Sequence, residues 1–379
     1  MRLAELHVHV LEAPLERPFL WSFNRADTRG ACLVEIVGDD GTVGWGECFG
    51  PPRLNAAVVE AFRPRLIGRD PLAIEQVWGD LYNHFRDQGQ RGLQVTALAG
   101  VDIALWDLKG RHLGQPVHVL MGGPLRRSVQ AYATGTYRRE AGDPFDYILE
   151  EVRGYAEDGF GAVKLKIGFD VDQDAALVRA VREAIGPERG LMLDANHGYD
   201  AIDAIRLGRL VADCDIGWFE EPVVPEDLGS YRAVREGQPI PVAGGETLFT
   251  RYDFTEVMTR RAMDIVQPDT CAAGGLSECK KIADMAWTFG VRYVPHVWGT
   301  GIGLAATLQL HAVLPHAPLT HRPRAAMLEF DRSEHPFRQA VLDQPIEHEN
   351  GVVAIPEGPG LGISVNREAV ARFAVPAGR

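Results

Sequence analysis

From about residue 128, short β-rich runs alternate with helical stretches, and this alternation constrains the fold more than any other feature of the chain. The runs are VQAYAT, AVKLKI, LMLDAN, IGWFEE, PVAGGE, MDIVQPD, VRYVPH and AMLEF. Alternating β and α units require parallel strands joined by crossover helices. Eight such runs over roughly 200 residues predict an α/β fold, a modified (β/α)8 or TIM-type barrel. The 379 residues leave room for a further module. In the first 50 residues LAELHVHVLEA alternates, and ACLVEIVGDDGTVGWGEC is a hairpin pattern with Asp40-Gly41 at its turn. From 55 to about 115 the pattern is helical and stops at Gly114 and Pro116. The expected organisation is an α+β module over 1–125, the barrel over 126–330, and a Gly/Pro-rich tail over 331–379 that packs back on the first module and completes it.

Charge and cysteine usage narrow the function. A net charge of −13 argues against binding nucleic acid or an anionic membrane surface. Cysteines 32, 48, 214, 271 and 279 are odd in number and lack CxxC spacing, so neither a disulfide framework nor a thiolate zinc site is expected. The N-terminus MRLAELHVHVLEAPLERPF has no signal-peptide core, and no apolar run is long enough to span a membrane. The cytoplasm is the expected compartment.

The chemistry lies at the ends of the runs. Asp194 closes LMLD, Glu220 closes IGWFE and Glu246 closes PVAGGE, each 26 residues after the last. That interval is one βα unit, so the three carboxylates occupy equivalent places at the barrel mouth. Converging anions in a cleft need a cation, and an all-oxygen set points to Mg²⁺ or Mn²⁺. Glu221, next to Glu220, should point to the opposite face and pair with a neighbouring cation. Lys164 and Lys166 share a strand face, and mutual repulsion is expected to lower the pKa of at least one and free an amine base. Asp269 and His296 end runs one unit apart, so an Asp–His hydrogen bond would orient the imidazole. Glu329 ends the last run opposite the lysines. Two bases facing one metal-bound carboxylate suit abstraction of an α proton.

KLKIG at 164–168, DAN at 194–196, FEEP at 219–222, GGE at 244–246, QPD at 267–269 and VPH at 294–296 together resemble the mandelate racemase subgroup of the enolase superfamily. The resemblance covers essentially the whole chain. It implies a capping domain before the barrel, Mg²⁺ on Asp194, Glu220 and Glu246, Lys166 as one acid/base tuned by Lys164, and His296 with Asp269 as the other. It also implies that Glu329 assists at the substrate carboxylate, that Asn196 contacts substrate, and that the protein forms a homo-oligomer. DDGTVGWGEC, RDQGQRGL, DANHGY, WFEEPVVPE, PVAGGET, VPHVWGTG and EFDR are similar to galactarolactone cycloisomerases. That similarity implies an aldaric acid lactone as substrate, opened by β-elimination to a 3-deoxy-2-keto hexarate. Dehydration, racemisation or epimerisation of an open-chain sugar acid remains the alternative.

Weaker signals stay open. His197, Tyr199 and Trp298 either contact substrate or pack loops and core. Phe19, Trp21 and Phe49 either close over the mouth or pack the domain interface. GTGIG at 299–303 either offers amides to a distal substrate carboxyl or only permits a turn. His7 and His9 form an HxH pair that would suit a zinc hydrolase but sits far before the barrel. A non-catalytic scaffold is the remaining rival.

Overall fold

The first sheet is an antiparallel meander of β1 (Leu3–Trp21), β2 (Asn24–Gly38) and β3 (Val43–Cys48) in that order. The Asp40-Gly41 turn joins β2 to β3, with Gly41 at φ +82°. Helices α1 (Pro52–Leu66), α2 (Ile74–His84), α3 (Leu93–His112) and α4 (Val117–Leu120) follow. Gly44 and Gly46 of β3 let α3 lie directly on the sheet, because a Cβ on Gly46 would sit 2.0 Å from the Gly100 carbonyl oxygen. The computed structural model describes residues 1–316, 320, 321 and 324–376. Among these residues no helix is long and apolar enough to cross a membrane.

The second unit is the expected barrel. It runs β4 (Ser128–Thr134), α5 (Pro144–Glu157), β5 (Ala162–Lys166), α6 (Val171–Ile185), β6 (Gly190–Asp194) and α7 (Ala201–Leu210). It continues β7 (Ile216–Glu220), α8 (Leu228–Gly237), β8 (Val242–Gly244), α9 (Thr250–Thr259), β9 (Ile265–Val266), α10 (Gly275–Phe289), β10 (Arg292–Tyr293), α11 (Gly301–His311) and β11 (Met327–Asp331). Asp143, Asp170, Asp200 and Asp227 cap α5 to α8, each accepting from a backbone N–H of the first turn. The strands pair in parallel from β4 to β10, and β11 returns to β4. Among the described residues β10 and β11 share no ladder, so the cylinder has a seam there. The last three strands before the seam are short because Pro241, Gly245 (φ +118°), Pro268 and Pro295 interrupt them.

The tail divides its contacts. β12 (His348–Glu349) and β13 (Val352–Ala354) form a hairpin whose second strand pairs antiparallel with the start of β4. α12 (Arg367–Phe373) then reaches the capping sheet, where Val375 N–H donates to the Val10 carbonyl at 2.9 Å. The barrel strand β4 thus takes part of the segment expected to pack back on the first module. Gln130 to Ser128 extend below the point where β5 begins to pair, which leaves an edge for β13.

Candidate active site

The barrel interior is layered by the two-residue period of its strands. Tyr132, Ala162, Met192, Trp218, Ala243, Ile265 and Val294 form an apolar floor. Two residues further along the same inward faces come Thr134, Lys164, Asp194, Glu220, Gly245, Gln267 and His296. The floor is therefore followed by a polar ring at the C-terminal ends of the strands. Pairing register sets Lys166 opposite Asp194 and Asp194 opposite Glu220, and it puts Lys164 one layer lower, opposite Met192 of the floor. Glu246 arrives from the loop after β8, beyond Gly245.

Asp194, Glu220 and Glu246 each offer a carboxylate oxygen within 4.8 Å of the others. Asp194 and Glu220 are buried and Glu246 is half-buried. Glu220 is fixed by Trp218 Nε1 at 2.8 Å and Gln267 Nε2 at 2.6 Å, both donating to Oε2. Burial, opposed by Lys164 and reinforced by Asp194, Glu329 and Glu246, pushes its carboxyl up to about 7. The donor set is all oxygen, converging and overcharged, which fits a hard divalent cation.

Lys164 Nζ pairs with Glu220, with Glu329 Oε1 at 2.7 Å and with Asp194 at 3.6 Å. Lys166 Nζ lies 2.5 Å from Asp194 Oδ2 and donates to Asn196 Oδ1 at 2.8 Å. The expectation of a lowered lysine pKa is corrected here. Burial does disfavour both ammonium groups, but Asp194 beside Lys166, and Glu220 and Glu329 beside Lys164, outweigh it and hold both above the ordinary lysine value. Carboxylates, absent from a reading of the KLK strand alone, dominate over lysine–lysine repulsion.

Across the triad, His296 Nδ1 lies 2.7 Å from Asp269 Oδ2, and Nε2 lies 3.5 Å from Glu246. Burial works against the imidazolium, but Glu246, Glu329 and Asp269 hold its pKa up to about 10. Glu329 links the two sides, accepting from Thr134 Oγ1 at 2.8 Å and from the Val297 N–H at 3.1 Å while paired to Lys164. Phe49 packs edge-on against His296, with ring centroids 5.5 Å apart.

Left-handed backbone marks the same rim. Thr136, Asn196, His197 and Glu221 have φ of 58°, 41°, 66° and 43° in the loops after β4, β6 and β7. Non-glycine residues hold such angles only when their surroundings over-determine them. Asn196 N–H donates to Asp194 Oδ1 and His197 N–H to the Glu221 carbonyl. Glu221 is expected to pair with a neighbouring cation, and the basic side chain it meets is an imidazole. Its carboxylate is buried, and His197 Nε2 lies 3.2 Å away. Its positive φ turns it out of strand periodicity, and burial together with Glu246 and Asp194 pushes its carboxyl far up.

The loop residues separate. Tyr199 donates to Asp174 Oδ2 at 2.6 Å and takes a loop-packing role. Phe19 is buried against Tyr137 at 4.3 Å, so it backs the site rather than facing it. Trp21 and Trp298 are half-buried and meet edge to face at 6.1 Å. Arg29 stacks over Trp298 at 4.1 Å. Ser22 of the β1–β2 turn donates to the Asn196 carbonyl at 2.7 Å, which ties the first module to the loop after β6. The amides of GTGIG are already taken: Glu47 of β3 accepts from Thr300 N–H, Thr300 Oγ1 and Gly303 N–H at 2.8, 2.6 and 2.8 Å. A substrate carboxyl is not needed there, and Gly299 and Gly303 leave room for Glu47. His7 and His9 pair with Glu5 and Glu35 on the capping sheet.

Four participants escaped the sequence. Gln267 sits two residues after floor residue Ile265, and a count of period two along MDIVQPD would have found it. Thr136 accepts from the Lys166 N–H at 3.0 Å, and the Tyr137 ring lies 5.1 Å from Lys166 Nζ. Both follow the end of β4, where no periodicity operates. Glu47 comes from the other module and carries no local signal.

Residues 147–369 match the model described as enolase C-terminal domain-like, and residues 5–122 match the mandelate racemase / muconate lactonizing enzyme N-terminal domain. The chain belongs to the mandelate racemase / muconate lactonizing enzyme family of the enolase superfamily. Within this family it is 53% identical to a D-galactarolactone cycloisomerase of Agrobacterium fabrum, covering 99% of this chain and 100% of the relative. It is 33% identical to an arabinonate dehydratase of Saccharolobus solfataricus, covering 88% and 87%. The crystal structure of a 3,6-anhydro-D-galactonate cycloisomerase from Zobellia galactanivorans superposes with a TM-score of 0.90 at 37% identity, covering 99% and 100%.

Proposed function

We propose that this protein is a Mg²⁺-dependent cycloisomerase that opens an aldaric acid lactone of the galactarolactone type. The observation that carries the reading is the three-carboxylate cluster set between Lys166 on one side and the Asp269–His296 pair on the other. The likeness to a D-galactarolactone cycloisomerase over the full chain directs the choice of substrate.

Bound by Asp194, Glu220 and Glu246, Mg²⁺ or Mn²⁺ would supply positive charge against which a carboxylate and an enolate are stabilised. With Asp194 and Glu246 engaged by the cation, the charges that keep Lys166 and His296 protonated are offset, and one of the two, in its neutral form, would remove the proton on the carbon α to the free carboxylate. The C–O bond at the β carbon then breaks, and its electron pair leaves with the ring oxygen as the second carboxylate. The resulting enol is protonated on carbon and tautomerises to a 3-deoxy-2-keto hexarate. Asp269 fixes the imidazole so that Nε2 faces the triad. Lys164 and Glu329 neutralise one another beside Glu220, and Glu329 also holds the His296 loop through Val297. Asn196 and His197 line the mouth beside Lys166, and Trp21 and Trp298 form its aromatic wall.

A second reading is dehydration of an open-chain sugar acid, favoured by the likeness to an arabinonate dehydratase. Hydroxide and a lactone carboxylate are both β leaving groups from the same enolate. The Mg²⁺-loaded enzyme incubated in D₂O with galactarolactone, galactarate, galactonate and arabinonate separates them by NMR. Lactone consumption with one deuterium on the new methylene of the keto acid is the expected result. Turnover of open-chain acids alone moves the enzyme to the dehydratases, and no turnover or exchange with any of them overturns proton abstraction. A cytoplasmic homo-oligomer completes the proposal; the five cysteines are free and buried, as a reducing compartment allows. Light scattering on the purified enzyme tests the assembly.

A further inference from the structure

The apolar floor has a second side. Beneath it, at the N-terminal ends of the strands and away from the carboxylate triad, lies a cavity of about 460 Å³. It opens at the seam between β10 and β11, where no ladder closes the cylinder among the described residues. Trp218, Ile265, Val294 and Met327 form its inner wall, and Trp287 of α10 stands half-exposed at its edge.

Its charge is one-sided. Arg126, Arg292 and Arg324 line it, and among the described residues no carboxylate does, in a chain whose net charge is −13. Arg126 donates to the backbone carbonyls of His311 and Pro315. The carboxylate acting on Arg292 is Asp264, which is already taken by Arg235 Nε at 2.7 Å and by the Val242 N–H at 3.0 Å. Partial burial, and for Arg292, whose side chain still reaches the surface, also the neighbouring Arg324, pulls Arg126 and Arg292 below the ordinary guanidinium value.

An independent observation points to a ligand. His311, on the last turn of α11, lines the cavity, is 1% exposed, and has no hydrogen-bond partner on either ring nitrogen. Burial and Arg126 push its pKa down to about 3, so it is a neutral ring with a donor and an acceptor unmet. Buried polar groups in this condition call for an explanation. An anion with an apolar body satisfies all of it: the body covers the tryptophans, and the anion meets guanidinium groups and an imidazole N–H.

We propose that this cavity is a binding site for a small amphipathic carboxylate, held at its anion by Arg292, Arg324 and His311 and at its apolar end by Trp218 and Trp287. The site is separate from the proposed chemistry and does not depend on it. α11 runs from the cavity at His311 to Thr300 beside His296, and β10 leads into the same loop, so the two ends of the barrel share elements.

The test is isothermal titration of the full chain with 3-phenylpropanoate, compared with 3-phenylpropanamide. Arg292→Ala and Arg324→Ala are the primary variants, since both side chains are exposed and neither change empties the core. One site per chain is expected, weakened about tenfold or more in each variant and for the amide. Binding should be unchanged in His296→Asn, which reports on the active site. Equal affinity for the amide, no binding up to about 10 mM probe, or binding lost in His296→Asn but kept in both arginine variants would each overturn the site. A fall in oligomeric mass in the arginine variants without loss of probe binding would also overturn it, by making this face a contact between copies.

Discussion

Lys166 and His296 approach the carboxylate triad from opposite edges, and what holds each one differs. Lys166 is paired directly with Asp194 of the triad, whereas His296 is oriented from behind by Asp269. On the proposed mechanism Lys166→Ala and His296→Asn each lower kcat by roughly 10³-fold or more while the metal stays bound. Steady-state kinetics paired with metal analysis check both halves, and full activity in both variants defeats the assignment. On the same proposal Glu246→Gln acts differently, because the half-buried carboxylate would hold the metal rather than move a proton. It should weaken Mg²⁺ affinity by about tenfold or more, read by calorimetric titration, and activity should recover at raised Mg²⁺. The residues behind these predictions were legible because each closes a strand-like run at the interval of a βα unit. Thr136 and Tyr137 were not legible in the same way, since they follow the end of β4, where no periodicity operates. The charge state of the lysines was misread for another reason: KLK shows two like charges, and only the assembled ring shows the acids around them.

Helix α11 shows how an element is placed by a residue from another module. Its N-terminus carries Thr300 as cap, yet the donors Thr300 N–H and Gly303 N–H both go to Glu47 on β3. A carboxylate at a helix N-terminus satisfies orphan amides and meets the positive end of the dipole. Here it also joins the capping sheet to the loop that bears His296 and Trp298. Burial raises the Glu47 carboxyl above its ordinary value although the Thr300 and Gly303 hydrogen bonds oppose it. Glu47→Ala should therefore destabilise the protein by about 2 kcal/mol or more and lower kcat through a displaced His296 loop. Glu47→Gln keeps an oxygen acceptor and should retain most of both. Chemical denaturation and kinetics on the two variants decide it, and equal behaviour of Ala and Gln would show that the cap does not position the loop. Strand and helix existence along the barrel was legible from the alternation of runs. The shortness of β8, β9 and β10 and the seam before β11 were less so, because prolines and glycines inside the runs decide where pairing stops.

At the scale of the whole molecule, the two modules meet across α3 and α10, and the contact holds a buried acid. Asp102 of α3 accepts from Ser277 N–H at 2.9 Å and Ser277 Oγ at 2.6 Å on α10, and it is 1% exposed. Burial lifts its pKa to about 7, against the opposing Ser277 hydrogen bonds and Lys281, with Glu75 adding to the rise. An aspartate in an unfolded chain titrates near about 3.9. The folded state therefore binds this proton more tightly than the unfolded one. The stabilisation from that proton is fully present below about pH 4 and is lost as pH rises through about 7. Above pH 7 the interface carries an ionised carboxylate whose two donors only partly replace water. Asp102→Asn removes that charge and keeps an acceptor for Ser277. It should raise the melting temperature by a few degrees at about pH 8 and change it little at about pH 4. Thermal denaturation of both proteins across that range measures the difference. A constant offset at every pH would assign the effect to packing, and a lower melting temperature at pH 8 would mean that the carboxylate, not its protonated form, holds the modules together.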